Sequence, residues 1–124
     1  LTKVPLTVDG RLASSTNPGT WKDYAIAAAS PVGEGLGFVL DGDGIACVDL
    51  DNVLIDGELD PRARRFLSTL SPFYVEVSPS GSGIHAWVDG GSPNGRKVFT
   101  LEDGLKVEWY SNGRFMTMTG KVFS

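Results

Sequence analysis

Ile45-Ala46-Cys47-Val48-Asp49-Leu50-Asp51 is an apolar run that ends in two acids. It reads as a β-strand, and a period of two puts Asp49 and Asp51 on one face with Leu50 on the other. Two carboxylates at the end of a core strand repel each other and lose hydration, and a bound cation is the commonest way to offset both costs. Hard divalent cations such as Mg²⁺ take oxygen ligands and keep positions open for phosphates, so a third acid from a neighbouring strand completes a plausible seat. Glu108, in Val107-Glu108-Trp109, is the candidate third acid, flanked by apolar residues that point to the opposite face. The plain alternatives are a solvated turn for the aspartates and an exposed strand position for Glu108.

Between these two stretches lies Pro79-Ser80-Gly81-Ser82-Gly83-Ile84-His85. Glycines let backbone N–H groups turn toward an anion and serine hydroxyls add donors, so Ser80, Gly81, Ser82 and Gly83 fit a phosphate-facing turn that ends in His85. A flexible hairpin loop and a hydrogen-bonded structural histidine are the competing readings. Arg114, after Asn112-Gly113, starts a strand close enough in sequence to share the edge of Glu108, and its planar fork suits a triphosphate or a surface carboxylate.

Outward from these motifs, the chain alternates short apolar runs with turn residues. Leu1 to Pro18 is mostly loop. Thr20 is a reasonable N-cap for a short helix up to about Ser30, with Trp21 and Tyr24 expected to face the core. The strands Gly37 to Leu40 and Ile45 to Asp49 flank Asp41-Gly42-Asp43-Gly44, which predicts a hairpin ending in the acids. That turn resembles half of a calcium loop and fails the test, because Ile45 stands at a ligand position and no glutamate closes a twelve-residue loop. Asp60-Pro61 caps a second helix with Phe66, Leu67 and Leu70 on its apolar side. Strands over Phe73 to Ser78, Ile84 to Val88, Lys97 to Leu101, Leu105 to Tyr110 and Arg114 to Thr119 complete a mixed α/β sheet, an α+β class.

The 124 residues suffice for one domain, 1–124, and the 41% hydrophobic content is ordinary for a packed core. The single cysteine, Cys47, excludes an internal disulfide and a cysteine-rich zinc site. No apolar stretch approaches the roughly 20 residues of a membrane span, and the expectation is a soluble, cytoplasmic protein with no membrane partner. A net charge of −4 argues against a protein that coats nucleic acid, so any grip on a strand must be local, through cations such as Arg62, Arg65, Arg96, Lys97 and Arg114.

Taken together, the apolar run into Asp49-x-Asp51, the serine and glycine turn ending in His85, and the strand acid Glu108 resemble the catalytic core of the archaeo-eukaryotic primase superfamily. The likeness is to its bifunctional primase-polymerase branch from phages and mobile plasmids, and it runs nearly end to end. Lys3-Val4-Pro5, Thr16-Asn17-Pro18 with Trp21 and Tyr24, Gly35-Leu36-Gly37-Phe38, Glu76-Val77-Ser78-Pro79-Ser80-Gly81, and Gly113-Arg114 with Thr117 to Gly120 all take part. The resemblance implies an RRM-like or ferredoxin-like core of mostly antiparallel sheet and few helices. It further implies a DNA primase and polymerase activity: nucleotidyl transfer from nucleoside triphosphates to a 3′-hydroxyl on a single-stranded DNA template, dependent on Mg²⁺ or Mn²⁺. Asp49, Asp51 and Glu108 then hold the metals, His85 contacts nucleotide phosphates, and Ser80, Gly81, Ser82, Gly83 and Arg114 line the nucleotide site. Such domains usually begin with a further strand and serve longer replication proteins with a helicase or helical primase domain, so this chain is expected to be a fragment of one. Two rivals stand beside this reading. One is a metal-dependent nuclease with the same three acids. The other is a non-catalytic module that binds single strands, which would use Trp87 and Trp109 for stacking yet lacks the characteristic basic and aromatic octapeptide.

Overall fold

The computed structural model describes residues 4–91 and 97–123. Lys3 and Arg96 of the motifs above lie outside the described residues. Nine strands are described: β1 (Leu36–Asp41), β2 (Ile45–Leu50), β3 (Leu54–Ile55), β4 (Glu58–Leu59), β5 (Tyr74–Val77), β6 (Ile84–Asp89), β7 (Val98–Thr100), β8 (Lys106–Tyr110) and β9 (Asn112–Met118). Two α-helices accompany them, α1 (Tyr24–Ala29) and α2 (Pro61–Leu70). The class is mixed α+β with antiparallel sheets and few helices, as predicted.

The main sheet has the order β5-β6-β2-β8-β7, and every neighbouring pair is antiparallel. Since β6 is antiparallel to both β2 and β5, those two run parallel, and α2 lies between them in sequence. The run β2-α2-β5-β6 is therefore a β-α-β crossover with the following strand inserted between its parallel members. Alternation gives the sheet two unlike faces. On one, Ala46, Val48, Leu50, Ile84, Ala86, Val88, Val107 and Trp109 form a buried core with Ala63 of α2, and Phe66, Leu67 and Leu70 pack against it. The helix is held in place by the cap that the sequence predicts: the Asp60 carboxylate accepts from Arg62 N at 2.8 Å.

The other face carries Cys47, Trp87 and Tyr110, and a small sheet of β1 paired with β9 lays Leu40 and Met116 over them. After β9 the chain crosses to the outer edge of β5, where Val77 N bonds Lys121 O at 2.8 Å and Phe123 N bonds Val75 O at 2.9 Å. Residues 119–123 thus tie the small sheet to the large one.

Two expectations are corrected here. The hairpin predicted around Asp41-Gly42-Asp43-Gly44 does not pair β1 with β2, because both edges of β2 are taken by β6 and β8. Instead β1 leaves for β9, and Gly42 and Gly44, at φ +85° and +103°, carry the chain from one sheet to the other. The first helix starts later than predicted. Asn17-Pro18 opens a 3-10 turn over Pro18–Thr20, and Asp23, not Thr20, caps α1 by accepting from Ile26 N at 3.0 Å. No residue of α1 is buried and Tyr24 is exposed, while Trp21 sits half-buried beside it. Among the described residues no helix is long and apolar enough to cross a membrane.

Candidate metal and nucleotide site

The register of the main sheet writes the site as one row of side chains. Glu76 of β5 stands opposite His85 of β6, His85 opposite Asp49 of β2, and Asp49 opposite Glu108 of β8. The neighbouring row on the same face, two residues back along each strand pair, is Tyr74, Trp87, Cys47 and Tyr110. An apolar and aromatic row under the small sheet therefore borders a row of polar side chains, of which Glu76 and His85 are buried and Asp49 and Glu108 half-buried.

Asp49 and Glu108 are half-buried, and Asp51, one residue past the end of β2, is exposed. One carboxylate oxygen from each of the three lies within 4.8 Å of the other two. Three hard oxygen donors gathered at a solvent-open edge could hold a hard divalent cation. The structure holds their surroundings in order. Tyr110 OH donates to Glu108 Oε2 at 3.2 Å, and Lys106 Nζ stands 3.6 Å from Glu108 Oε1. The Tyr110 phenol is pushed up, first by burial, with Arg114 opposing and Glu108 adding to the rise. Cys47, one row behind, has its thiol pushed well above the ordinary value by burial and then by the charges of Asp49 and Glu76.

The serine turn lies against the exit of β2. Val53 N and Leu54 N both bond Ser82 O at 2.9 Å, which docks the turn on the residues just after Asp51. Gly83 makes that docking possible, because a Cβ there would come within 2.8 Å of Leu50 O. The hydroxyls of Ser78, Ser80 and Ser82 form a chain at 3.0 and 3.1 Å, extended toward Asn52 Oδ1 at 3.5 Å. Two amides predicted to face an anion are used within the turn: Gly81 N bonds Ser78 O, and Ser82 N bonds Ser80 Oγ. The hydroxyls, with Ser80 and Gly81 exposed, are what the turn offers outward.

His85 is only 2% exposed. Its Nε2 lies 3.6 Å from Asp49 Oδ1 and its Nδ1 lies 3.6 Å from Glu76 Oε2, so the ring faces carboxylates on both sides at the floor of the site. Arg114 is exposed on β9, with its guanidinium carbon 3.8 Å from the centre of the Tyr110 ring. It stacks on the tyrosine whose hydroxyl donates to Glu108. Trp87 and Trp109 are buried, 3% and 7% exposed, with Phe38 and Phe66 against them edge to face. Neither offers a ring for stacking a base.

Glu76, Tyr110 and Lys106 escaped the sequence reading. Glu76 was legible only as part of a longer likeness, and the signal for it is a lone acid inside the apolar strand Tyr74-Val75-Glu76-Val77, in step with His85 once the hairpin is closed.

No family model matches this chain. Over 130 aligned positions, covering 98% of its residues, it is 42% identical to a DNA primase-polymerase of Nitratiruptor phage NrS-1. The chain spans 18% of that protein's length. With the acid trio on one sheet face and identity of this order from end to end, the chain is a relative of a phage DNA primase-polymerase.

Proposed function

We propose that this chain is the catalytic domain of a primase-polymerase of phage or plasmid type, part of a longer replication protein, and that it transfers nucleotides from nucleoside triphosphates to a 3′-hydroxyl on a single-stranded DNA template. The observation that carries the reading is the convergence of Asp49, Asp51 and Glu108 within 4.8 Å, beside a serine turn docked on the next residues of the chain. An RRM-like core is supported by the strand order β5-β6-β2-β8 with α2 crossing one face.

Asp49, Asp51 and Glu108 would hold Mg²⁺ or Mn²⁺, which when bound would supply positive charge to offset that on the α-phosphate and the departing pyrophosphate. Tyr110 donates to Glu108, and His85, the residue expected to contact nucleotide phosphates, lies beneath Asp49 with Nε2 3.6 Å from Oδ1. Ser80 and Ser82 offer hydroxyls to the distal phosphates, Gly81 and Gly83 give the turn its shape, and Arg114 adds a planar cation from the small sheet. In the transfer, the 3′-hydroxyl oxygen bonds to the α-phosphorus as the bond to pyrophosphate breaks, and the hydroxyl proton passes to water. Catalysis rests on positioning and electrostatics, with no covalent enzyme intermediate. The full-length protein's template grip and its helicase or helical primase partner belong to the same proposal.

Calorimetry with a nucleoside triphosphate, with and without Mn²⁺, tests it together with primer extension on a single-stranded template. Binding is expected to require the metal, and Asp49→Ala is expected to lose both binding and extension. Metal-independent binding that survives Asp49→Ala overturns the assignment, and metal-dependent cleavage of the oligonucleotide without extension makes the chain a nuclease.

A further inference from the structure

We infer that Glu76 is a positioning residue for this site, holding the His85 ring so that Nε2 stays turned toward Asp49; the inference rests on the reading of the site given above. Glu76 is completely buried. A carboxylate removed from water is costly unless donors surround it, and an apolar side chain of similar volume would serve a purely packing role at less expense in solvation. The donors are present: Tyr74 OH at 3.1 Å, Thr119 N at 2.9 Å and Gly120 N at 3.2 Å. His85 Nδ1 faces the same carboxylate at 3.6 Å.

Imidazole carries its two nitrogens on opposite flanks, so an anion fixed at Nδ1 sets which way Nε2 points. Here Nε2 points at Asp49, 3.6 Å away. The strand register makes the arrangement rigid, since Glu76, His85 and Asp49 occupy paired positions on three adjacent strands. Both backbone donors to Glu76 come from residues 119–120, where the chain leaves the small sheet for the edge of β5. Glu76 thereby links that crossing to the orientation of a proposed metal ligand.

The rival is a carboxylate that only straps residues 119–120 to the sheet. His85 is the sole histidine, so the imidazole ¹⁵N signals of the full chain report one ring without ambiguity. Mn²⁺ affinity, read from free-ion electron paramagnetic resonance, supplies a second measure. Glu76→Gln is expected to move the His85 ring signals and to weaken Mn²⁺ binding several-fold, less than the roughly tenfold found when a direct partner of a metal ligand is removed. Because the effect passes through the ring, Glu76→Gln should cost no further affinity in a His85→Ala background. Equal losses in both backgrounds, or a lower melting temperature with unchanged ring signals, overturn the inference in favour of the strap. Should Glu76→Gln not fold, Tyr74→Phe removes one donor from the carboxylate. It is expected to shift the same ring signals in a folded chain, and unchanged signals there also overturn the inference. If the unaltered chain takes up no Mn²⁺, the metal reading fails by itself, and the ring signals alone decide whether Glu76 orients His85.

Discussion

Asp49 has an imidazole across one strand boundary and a carboxylate across the other, and Asp51 follows it at the exposed rim. The two aspartates therefore differ in what their removal does. Taking the charge from Asp49 leaves His85 facing Glu76 alone, whereas Asp51 sits in solvent, where a substitution usually changes stability by less than about 0.5 kcal/mol. With three carboxylates inside 4.8 Å, the dominant effect of Asp51→Asn without metal is relief of repulsion. Its melting temperature in EDTA is expected to equal or slightly exceed that of the unaltered chain. Saturating Mn²⁺ tells the opposite story. A ligand at a hundredfold its Kd stabilises a fold by about 2.7 kcal/mol, and that metal-induced rise is expected to vanish in Asp51→Asn. A variant that keeps the full rise shows that Asp51 holds no metal.

Elements deliver these residues, and the junction between β2 and the serine turn is the tightest of them. Gly83 has no room for a methyl group: an added Cβ meets Leu50 O and Ser78 Oγ, each at 2.8 Å, and the first is backbone. Gly83→Ala is expected to lower stability by about 1–3 kcal/mol in urea denaturation, the usual range for overpacking, and to weaken metal-dependent nucleotide binding as the turn is pushed from Asp51. Gly81→Ala is the contrast, since open space surrounds that position and only its φ of +80° resists a side chain. If the two variants behave alike, the close approach at Gly83 does not govern the site. The sequence carried the local half of this architecture well. A period of two placed β2, β5, β6, β8 and β9, and Asp60-Pro61 marked the start of α2, because these signals are written within a few residues. Pairing is not local. The turn glycines between β1 and β2 look the same whether the strands form a hairpin or part to different sheets, and what decided it was competition for the edges of β2 from β6 and β8. Glu76 was hidden for the same reason, since its meaning comes from the strand opposite.

At the scale of the whole molecule, charge governs how the chain would meet the single-stranded template proposed for it. Its net charge is −4, and several of its cations are already engaged. Arg62 pairs with Asp60 at 2.8 Å, while Arg11, Arg65 and Lys106 each stand 3.6 Å from a carboxylate, and Arg114 lies on Tyr110. Binding to single strands gains most of its strength from counterions released as free lysines and arginines meet phosphates, with a slope of about −0.7 in log K against log salt for each phosphate neutralised. With these cations engaged, about two or three phosphates are expected to be neutralised, which predicts a slope near −2 and weak affinity at physiological salt. Part of the repulsion also comes from the three site acids, so Mn²⁺ is expected to strengthen binding of a single-stranded oligonucleotide while nucleoside triphosphate is absent. Fluorescence anisotropy across a salt series measures both effects. A slope several times steeper, unchanged by Mn²⁺, would mean that a basic surface independent of the acid trio carries the template.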